Sequence, residues 1–450
     1  AFRVQLGWEA ADNVNVLFAA DYHKDESDNI VPQHSEIFYV SPGADPDVLA
    51  YVDNAFISGG LPDKNDPNAA SWAPNGNNFG GANPDGKFDR DNDGLLLSLR
   101  VDWEFDDMTL TSVSAFNDYS RDEANAWDGV ASKNWDSYND TNIKAWSQEL
   151  RLTSNADGDF TWIAGVYFSG DEITEISSGS GGISSAGMFI VPDVIEPWFG
   201  IPGGDVNGDG LSNQYDVYAL GLGFDIFSTQ YTQESESMGV FVHTEYEISD
   251  TVNMTLAARY TDDERKIVDS CTYDVSGDLA GFFDVGVFEG NIGDIYQQGD
   301  CVTLNPATFE SLPYNETIDS SNLTGKVGFD WKAADEVLVY ANISTGYKSG
   351  GFGAPAAASW DSLASYKEEE VTSYELGIKS TLADGAVTLN GAIYSYDYTD
   401  KQVSAFVSDP VFGSLTKIVN APKSTVNGAE LEVNWYATDA TVVRVTTSFL

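Results

Sequence analysis

The chain has 450 residues, of which 71 are acidic and 22 are basic, so its formal net charge at pH 7 is −49. This charge argues against nucleic-acid binding, because phosphates are held by Lys and Arg, and it favours contact with cations or solubility in a salty medium. Hydrophobic residues make up 42% of the chain, which is too many for a disordered acidic tail. No run of about 18 apolar residues occurs, so the sequence predicts no transmembrane helix.

Short turns divide the chain into hairpins, and each turn contains Asp, alone or followed by Gly. Asp hydrogen-bonds to the local backbone and Gly tolerates positive φ, so both residues favour turns. The predicted turns lie near Asp12, Asp106–Asp107, Asp157–Gly158, Asp250, Asp335, Asp384–Gly385 and Asp439. Strands of about 9–15 residues flank each turn, which is longer than the usual ~5–6 and close to the ~9–11 that cross a bilayer. The sequence therefore predicts about 14 strands.

Alternation of apolar and polar residues is clearest on both sides of the turn at Asp250. The apolar set includes Met238, Val240, Val242, Tyr246, Ile248, Val252, Met254, Leu256 and Tyr260. A period of two indicates strands with one apolar face. This face meets lipid in a membrane barrel and covers a core in a soluble protein. Strand length and loop asymmetry favour the membrane barrel. We therefore expect the opposite set, which includes His243, Glu245, Glu247 and Arg259, to face the lumen.

Much longer connections, rich in Gly, Asp, Asn, Ser and Pro, join the hairpins at the other end. They are predicted near residues 24–92, 120–143, 171–230, 267–318, 349–369 and 403–423. Short turns at one end and long loops at the other are typical of an outer-membrane barrel, whereas a soluble sandwich has shorter strands and spreads its loop lengths over both ends. The predicted fold is all-β: a large antiparallel transmembrane β-barrel with long extracellular loops.

The only two cysteines, Cys271 and Cys301, both lie in one of these predicted loops. An isolated pair in a chain of this size predicts one disulfide and hence an oxidising compartment. Two unrelated buried thiols are the alternative interpretation.

The segment DVNGDGLSNQYD, residues 205–216, has the spacing of a twelve-residue calcium loop. Gly210 occupies position 6, where the chain must turn sharply. The candidate ligands are Asp205, Asn207, Asp209, the carbonyl of Leu211, Asn213 and Asp216. Ca²⁺ takes six to eight oxygen ligands, and this spacing supplies them. Calcium is therefore the predicted structural ion, and an acidic turn without an ion is the alternative.

A second acidic stretch, DRDNDG, shares only the beginning of that pattern. Asp89, Asp91 and Asp93 occupy positions 1, 3 and 5, but position 12 is Arg100. A cation at the closing position argues against a complete site. We regard these residues as a weak metal candidate and favour an Asp-rich loop at the entry to a strand.

Nothing in the sequence points to an enzyme. The three histidines, His23, His34 and His243, have no metal spacing with one another or with the cysteines, and nucleophile-elbow, phosphate-loop and dinucleotide patterns are absent. Several aromatic residues fall in the predicted loops or lumen, where they could stack on a ligand or pack within the loops. They are Trp127, Trp135, Trp198, Tyr215, Tyr218 and Trp360. The substrate-binding residues stay unassigned.

Six segments together resemble the barrel of TonB-dependent receptors. They are QELRLTS (148–154), WIAGVYF (162–168), YANISTGYKSGGF (340–352), SYELGIKS (373–380), YSYDYTDKQV (394–403) and NAPKSTVNGAELEV (420–433). No single segment is decisive, but their order and spacing are similar to that family over nearly the whole chain.

The resemblance implies a 22-stranded outer-membrane barrel around an N-terminal plug, whose TonB box contacts the TonB complex. It also implies active uptake of a scarce small-molecule nutrient, with an iron–siderophore complex as the default and cobalamin, carbohydrate or another organic molecule as alternatives. The implied surroundings are a lipid bilayer with lipopolysaccharide. The plug and the last strands have no counterpart in these 450 residues, so we expect a longer protein. A passive porin and a calcium-binding surface or adhesin β-protein are the alternative functions.

Overall fold

The computed structural model describes residues 1–29, 79–126, 135–155, 158–181, 224–275, 297–353, 357–409, 413–438 and 440–450. Sixteen strands occur in these residues. In chain order they are β1 (Phe2–Ala11), β2 (Val14–Asp28), β3 (Asp89–Glu104), β4 (Met108–Ala126), β5 (Trp135–Ser154), β6 (Phe160–Gly181), β7 (Phe224–Ser249), β8 (Val252–Asp274), β9 (Leu304–Asn305), β10 (Glu310–Ser311), β11 (Tyr314–Ala334), β12 (Val337–Lys348), β13 (Glu369–Leu382), β14 (Val387–Asp409), β15 (Gly413–Thr438) and β16 (Thr441–Phe449).

Fourteen of the strands form one antiparallel sheet in which every strand pairs with its neighbour in sequence. The two-residue strands β9 and β10 pair separately, and β8 is therefore followed in the sheet by β11. The prediction of an all-β fold with about 14 strands is confirmed. A short helix, α1 (Trp360–Leu363), and a 3₁₀ turn, Phe79–Gly81, are the helices of the described chain. Neither is long and apolar enough to cross a membrane.

In the described part of the chain, short turns lie at the predicted positions near Asp12, Asp106–Asp107, Asp250, Asp335 and Asp384–Gly385. Two residues separate β7 from β8 and β11 from β12, and four separate β13 from β14. In that last turn, Asp384 has φ of 54° and Gly385 has φ of 88°. Positive φ is tolerated by glycine and, among other residues, most often by Asn and Asp. The Asp-Gly pair is therefore compatible with the backbone that reverses the chain there.

The strands are longer than predicted. The fourteen strands of the main sheet have 9 to 26 residues instead of about 9–15, because they continue into the ranges that we expected to be loops. The prediction of a loop over 403–423 is wrong, since β14 runs to Asp409 and β15 begins at Gly413. The outer parts of the ranges 24–92, 120–143, 171–230 and 267–318 are also strand. Polar composition therefore did not mark the ends of the hydrogen-bonded ladder.

Strand register divides the sheet into an apolar face and a polar face. One continuous row across nine strands is Phe160, Tyr246, Met254, Phe329, Ala341, Leu376, Ile393, Ala429 and Phe449. The adjacent row, on the opposite face, is Thr161, Glu245, Thr255, Gly328, Asn342, Glu375, Tyr394 and Gly428. Successive side chains of a strand point to opposite faces. The alternation seen around Asp250 is therefore shared by the neighbouring strands.

Burial is concentrated far from the short turns, at what we call the distal end of the sheet. The main buried cluster there contains Ile267, Tyr314, Ala357 and Leu363, and Trp360 packs against it. In contrast, the large apolar side chains of the nine-strand row other than Met254 are exposed, and Ile393 is 57% exposed. An exposed apolar surface of this extent implies contact with something other than water.

Candidate functional site

The polar face carries every arginine of the chain. Following the register from strand to strand places Arg3, Arg90, Arg100, Arg121, Arg151, Arg259, Arg265 and Arg444 on this face. Five of them lie beside a carboxylate of the same face, with N–O distances of 2.7–3.7 Å. The shortest of these ion pairs joins Arg100 to Asp102. The polar face is thus a wall of mixed charge in a strongly acidic chain.

Aromatic rings lie flat across glycines on the same face. Tyr394 covers Gly428, its register partner, and Tyr340 covers Gly377 in the same way. A Cβ at either glycine would collide with the ring. The Tyr340 hydroxyl donates a hydrogen bond of 2.6 Å to Glu375. Glycine therefore allows large rings to pack along this wall.

The distal end of the sheet has a notch. Strands β12 and β13 have only 12 and 14 residues, whereas their neighbours β11 and β14 have 21 and 23. The described residues of the connection between the short pair, 349–353 and 357–368, lie against strands on both sides of this notch. The connection bonds to itself through Gly351 and Tyr366, and Leu304 N donates to Ala358 O at 2.8 Å.

Two charged side chains of the sheet form hydrogen bonds to this connection. Glu316 on β11 accepts hydrogen bonds from the Ser365 hydroxyl at 2.9 Å, from the Ser365 N–H and from the Tyr314 hydroxyl. Lys417 on β15 donates to the Asp361 carbonyl at 2.7 Å. Burial lowers the pKa of Lys417 and raises the pKa of the Tyr314 phenol. Both groups lie at the distal end of the sheet, around the buried cluster that contains Leu363.

The cysteine pair lies directly behind the same connection. The structure joins Cys271 to Cys301 in a disulfide with a Cα–Cα distance of 5.9 Å. Cys271 is fully buried, and the hydroxyls of Thr272 and Thr303 both donate to the Ala357 carbonyl, at 3.0 and 3.3 Å. The disulfide thus holds two threonines that anchor the connection across the notch.

These features form a charged, aromatic wall with a connection bonded across its distal end. A family model described as "TonB dependent receptor-like, beta-barrel" matches residues 40–449. The chain belongs to this family. Receptors of this family are transporters of the outer membrane and not enzymes. In a barrel of this kind the apolar face meets lipid and the polar face lines the lumen.

Solved structures agree on the fold at low sequence identity. The ferric yersiniabactin uptake receptor FyuA from Yersinia pestis is 14% identical with a TM-score of 0.56, and the match covers 99% of this chain and 51% of that one. The copper transporter OprC is 11% identical with a TM-score of 0.58, covering 99% and 52%. The siderophore receptor PiuA from Acinetobacter baumannii is 13% identical with a TM-score of 0.51, covering 97% and 54%. The chain therefore spans about half the length of these receptors.

The structure describes only one of the two predicted metal sites of this receptor barrel. The calcium loop, residues 205–216, lies outside the described residues. Asp89, Asp91 and Asp93 are not in an Asp-rich loop but in strand β3, paired with β2 and β4. At about 3.3 Å per residue, an extended strand separates the outer two by roughly 13 Å. They cannot share one ion, and Asp91 instead lies 3.3 Å from Lys24. Among the described residues, no group of His, Cys, Asp or Glu is arranged to hold a metal ion.

The remaining candidates have ordinary partners. His23 stacks on Tyr119, and His243 lies 3.3 Å from Glu245. Trp360 packs edge-on against Tyr314, and its indole N–H donates to the Leu312 carbonyl at 3.0 Å. This indole therefore packs within the loops rather than standing free. The other aromatic candidates and His34 have side chains outside the described residues. These residues are His34, Trp127, Trp135, Trp198, Tyr215 and Tyr218.

Sequence reasoning missed the arginine distribution, Glu316, Lys417 and the role of residues 349–368. The arginine positions could have been found, because each lies out of phase with the apolar residues of its own strand. The bonds of Glu316 and Lys417 join residues 49 and 56 positions apart. No periodic signal in the sequence marks such contacts.

Proposed function

We propose that the protein is an energised importer that carries a scarce small-molecule nutrient across the outer membrane. The observation that carries the proposal is the family match over residues 40–449, together with a 14-stranded antiparallel sheet that has one apolar and one polar face. The distal end would face the outside and receive the ligand, and a plug in the full protein would connect the barrel to the TonB complex.

The proposed substrate class is a metal complex, with an iron–siderophore complex as the first candidate. Its support comes from proteins of similar fold: FyuA is a ferric yersiniabactin uptake receptor, OprC a copper transporter and PiuA a siderophore receptor. Identities of 11–14% support the fold alone, so the metal complex is the part of the proposal that an experiment must establish.

The test is uptake of radioactive ferric iron by cells that produce the full-length receptor, compared with cells that lack its gene. The iron is supplied in spent medium from iron-starved cultures of the same bacterium. We expect receptor-dependent uptake that stops when TonB is depleted or when a protonophore collapses the proton gradient. Receptor-dependent uptake that survives both treatments would favour a passive porin, and uptake equal in both strains would reject iron as the cargo.

We also propose that residues 205–216 bind Ca²⁺ and order the connection between β6 and β7. Support comes from the oxygen-rich spacing of the loop alone. Replacing Asp205 and Asp209 by Ala should abolish the calcium-dependent protection of residues 182–223 from protease. Replacing Asp193 and Glu196 by Ala removes the same charge outside the loop and should leave that protection intact. Equal protection of the native protein in calcium and in chelator would disprove the site.

A further inference from the structure

The neighbouring strands β11 and β12 separate in the distal half of the sheet. Their backbone ladder runs from the short turn only as far as the pair Lys326–Ser344. Beyond that pair, β11 stays paired with β8 and β12 stays paired with β13. Among the described residues, no backbone hydrogen bond reaches residues 314–325 of β11 on the side of β12. We call this interruption, between residues 314–325 and residues 345–348, the seam.

Side-chain hydrogen bonds across the seam show in which direction β12 is displaced. Tyr347 and its register partner Glu370 are in phase with the apolar residues of β12 and β13. The Tyr347 hydroxyl nevertheless donates at 3.1 Å to Asp263, on the polar face of β8. Asn322, on the polar face of β11, likewise donates to Glu370. The end of β12 therefore lies behind β11, against the polar face, and we call this arrangement tucked.

The connection that follows β12 lies against the same face. Its Ser365 hydroxyl bonds to Glu316, and its Trp360 packs on Tyr314. Both partners are in phase with the polar residues of β11. Ser320, a further polar-face residue of β11 in contact with the Tyr347 hydroxyl, is only 8% exposed. The tucked end and the connection together cover the polar face of β11 at the distal end of the sheet.

The two edges of the seam are complementary to each other. Continuing the register of the paired part would place Gly325 opposite Thr345 and Leu323 opposite Tyr347. At present the Gly325 N–H donates to the Thr345 hydroxyl at 2.9 Å, so a side chain takes the place of a ladder carbonyl. Leu323 is 70% exposed, and pairing with Tyr347 would cover it. No proline at 345–348, or at the residues opposite, would stop the ladder from continuing.

We propose that the seam is a two-state switch that controls access to the polar face from the distal end. In the tucked state, side-chain bonds hold β12 behind β11. In the second state, which we call zipped, residues 345–348 rejoin the ladder of β11 and draw the connection away from the polar face. Each state replaces the hydrogen bonds of the other, so a ligand that binds better to one state can shift the balance. This inference rests on the proposed import function, in which the ligand enters at the distal end.

Disulfide cross-linking of the purified full-length receptor tests for the zipped state. The two native cysteines are bonded to each other, so they do not compete with introduced thiols. The pair Leu323→Cys and Tyr347→Cys should cross-link under mild oxidation, because register partners on adjacent strands lie within reach of a disulfide.

The pair Leu323→Cys and Thr345→Cys is the matched control, on the same two strands but two residues out of register. It should cross-link about tenfold more slowly if the seam zips, because diagonal neighbours are farther apart than register partners. In a seam that stays tucked the order should be reversed, since Thr345 contacts Gly325, two residues from Leu323.

The reactivity of a thiol at position 320 reports the same movement from the polar face. Ser320→Cys should react slowly with a bulky maleimide, because the native side chain is 8% exposed. Adding Tyr347→Phe removes the hydroxyl that bonds to Asp263, and should raise the reaction rate about tenfold. Tyr340→Phe is the matched control and should leave the rate unchanged, because its hydroxyl bonds to Glu375 in the paired part of the same strand.

Three results would each overturn the proposal. The first is a register pair that cross-links no faster than the control pair, which would mean that β12 moves without rejoining the ladder. The second is a maleimide rate that does not respond to Tyr347→Phe. The third is an equal rise with Tyr340→Phe, which would indicate a general loosening of the sheet. Both measurements use purified receptor without TonB or a proton gradient, so their failure leaves the test of energised import unaffected.

Discussion

The half of each strand near the short turns differs from the distal half in how apolar and polar residues are arranged. In β7 the turn-proximal residues 238–248 alternate except at Phe241 and Thr244, whereas residues 228–237, STQYTQESES, are polar on both faces apart from Tyr231. The same change occurs in β8 after Tyr260. Alternation is needed only where one face meets lipid, while the backbone ladder continues as long as its donors and acceptors are paired. The strands here are therefore longer than is needed to cross the membrane.

Charge pairing also differs between the two halves. In the distal half, like charges stand directly opposite each other on the face that is apolar below: Glu172 opposes Glu234, and Glu236 opposes Glu264. Such cross-strand pairs are destabilising in a sheet. Exposure to water reduces this repulsion. Lys266, whose Nζ lies 2.6 Å from Glu264, offsets the repulsion in one of the two pairs. The distal half thus depends on its disulfide and on side-chain bonds to residues 349–368.

A charge placed on the apolar face of the turn-proximal half should have the largest effect. Ile393 lies in the nine-strand apolar row and is 57% exposed toward lipid. Replacing it by Lys should destabilise the barrel by about 2–4 kcal/mol, the cost of a basic side chain near the bilayer midplane. The measurement is urea unfolding of the receptor in lipid vesicles.

The control for this change is the preceding residue, Ala392, which faces the lumen opposite Glu430 and Gly377. Ala392→Lys introduces the same charge on the polar face and should change stability much less. If both substitutions destabilise the barrel equally, the division into two faces is wrong for β14.

The turn-proximal half could be predicted from the sequence and the distal half could not. Alternation and Asp-containing turns located the hairpins, because both are local consequences of side-chain direction and backbone torsion. In the distal half, residues 403–409 were predicted as loop but are strand, since β14 and β15 pair there with Phe406 on one face and Lys417 on the other, so the alternation is interrupted. The bonds from Lys417 and Glu316 to the 349–368 connection depend on which strands are short, and this is a property of the whole sheet.

Removing the disulfide should have an intermediate effect, confined to the distal half. Cys271→Ser frees one end of a covalent loop with a sequence separation of 30 residues. Loss of a native disulfide typically lowers the stability of a small domain by about 2–5 kcal/mol. Here we expect the loss of stability to be confined to the loop. We expect faster proteolysis within residues 267–318 and 349–368, with no change in the heat resistance of the barrel.

Cys301→Ser should give the same pattern, and the double variant should add nothing, because one bond accounts for both losses. Unfolding of the whole barrel in either single variant would show that the disulfide supports the sheet itself. That outcome would remove the distinction between the two halves.

The smallest expected effect concerns Asp122, on the distal part of β4. Burial raises its pKa, Asp140, Asp89 and Asp91 raise it further, and a hydrogen bond of 2.9 Å from Tyr138 opposes the change. A carboxyl group whose pKa is higher in the folded state favours folding when protonated, and this contribution is lost as the pH rises through that pKa. Ionised Asp122 should therefore cost stability at pH 7.

Asp122→Asn should remove this cost and raise the melting temperature at pH 7 by about 1–2 °C. The gain should vanish below about pH 4, where the native carboxyl is also neutral, and should shrink in high salt because repulsion from neighbouring carboxylates is screened. Asp118→Asn, on the same strand but opposite Lys144, should give no gain. A gain for Asp118→Asn as large as that for Asp122→Asn would mean that total charge, not the local like-charge neighbours, limits the distal half.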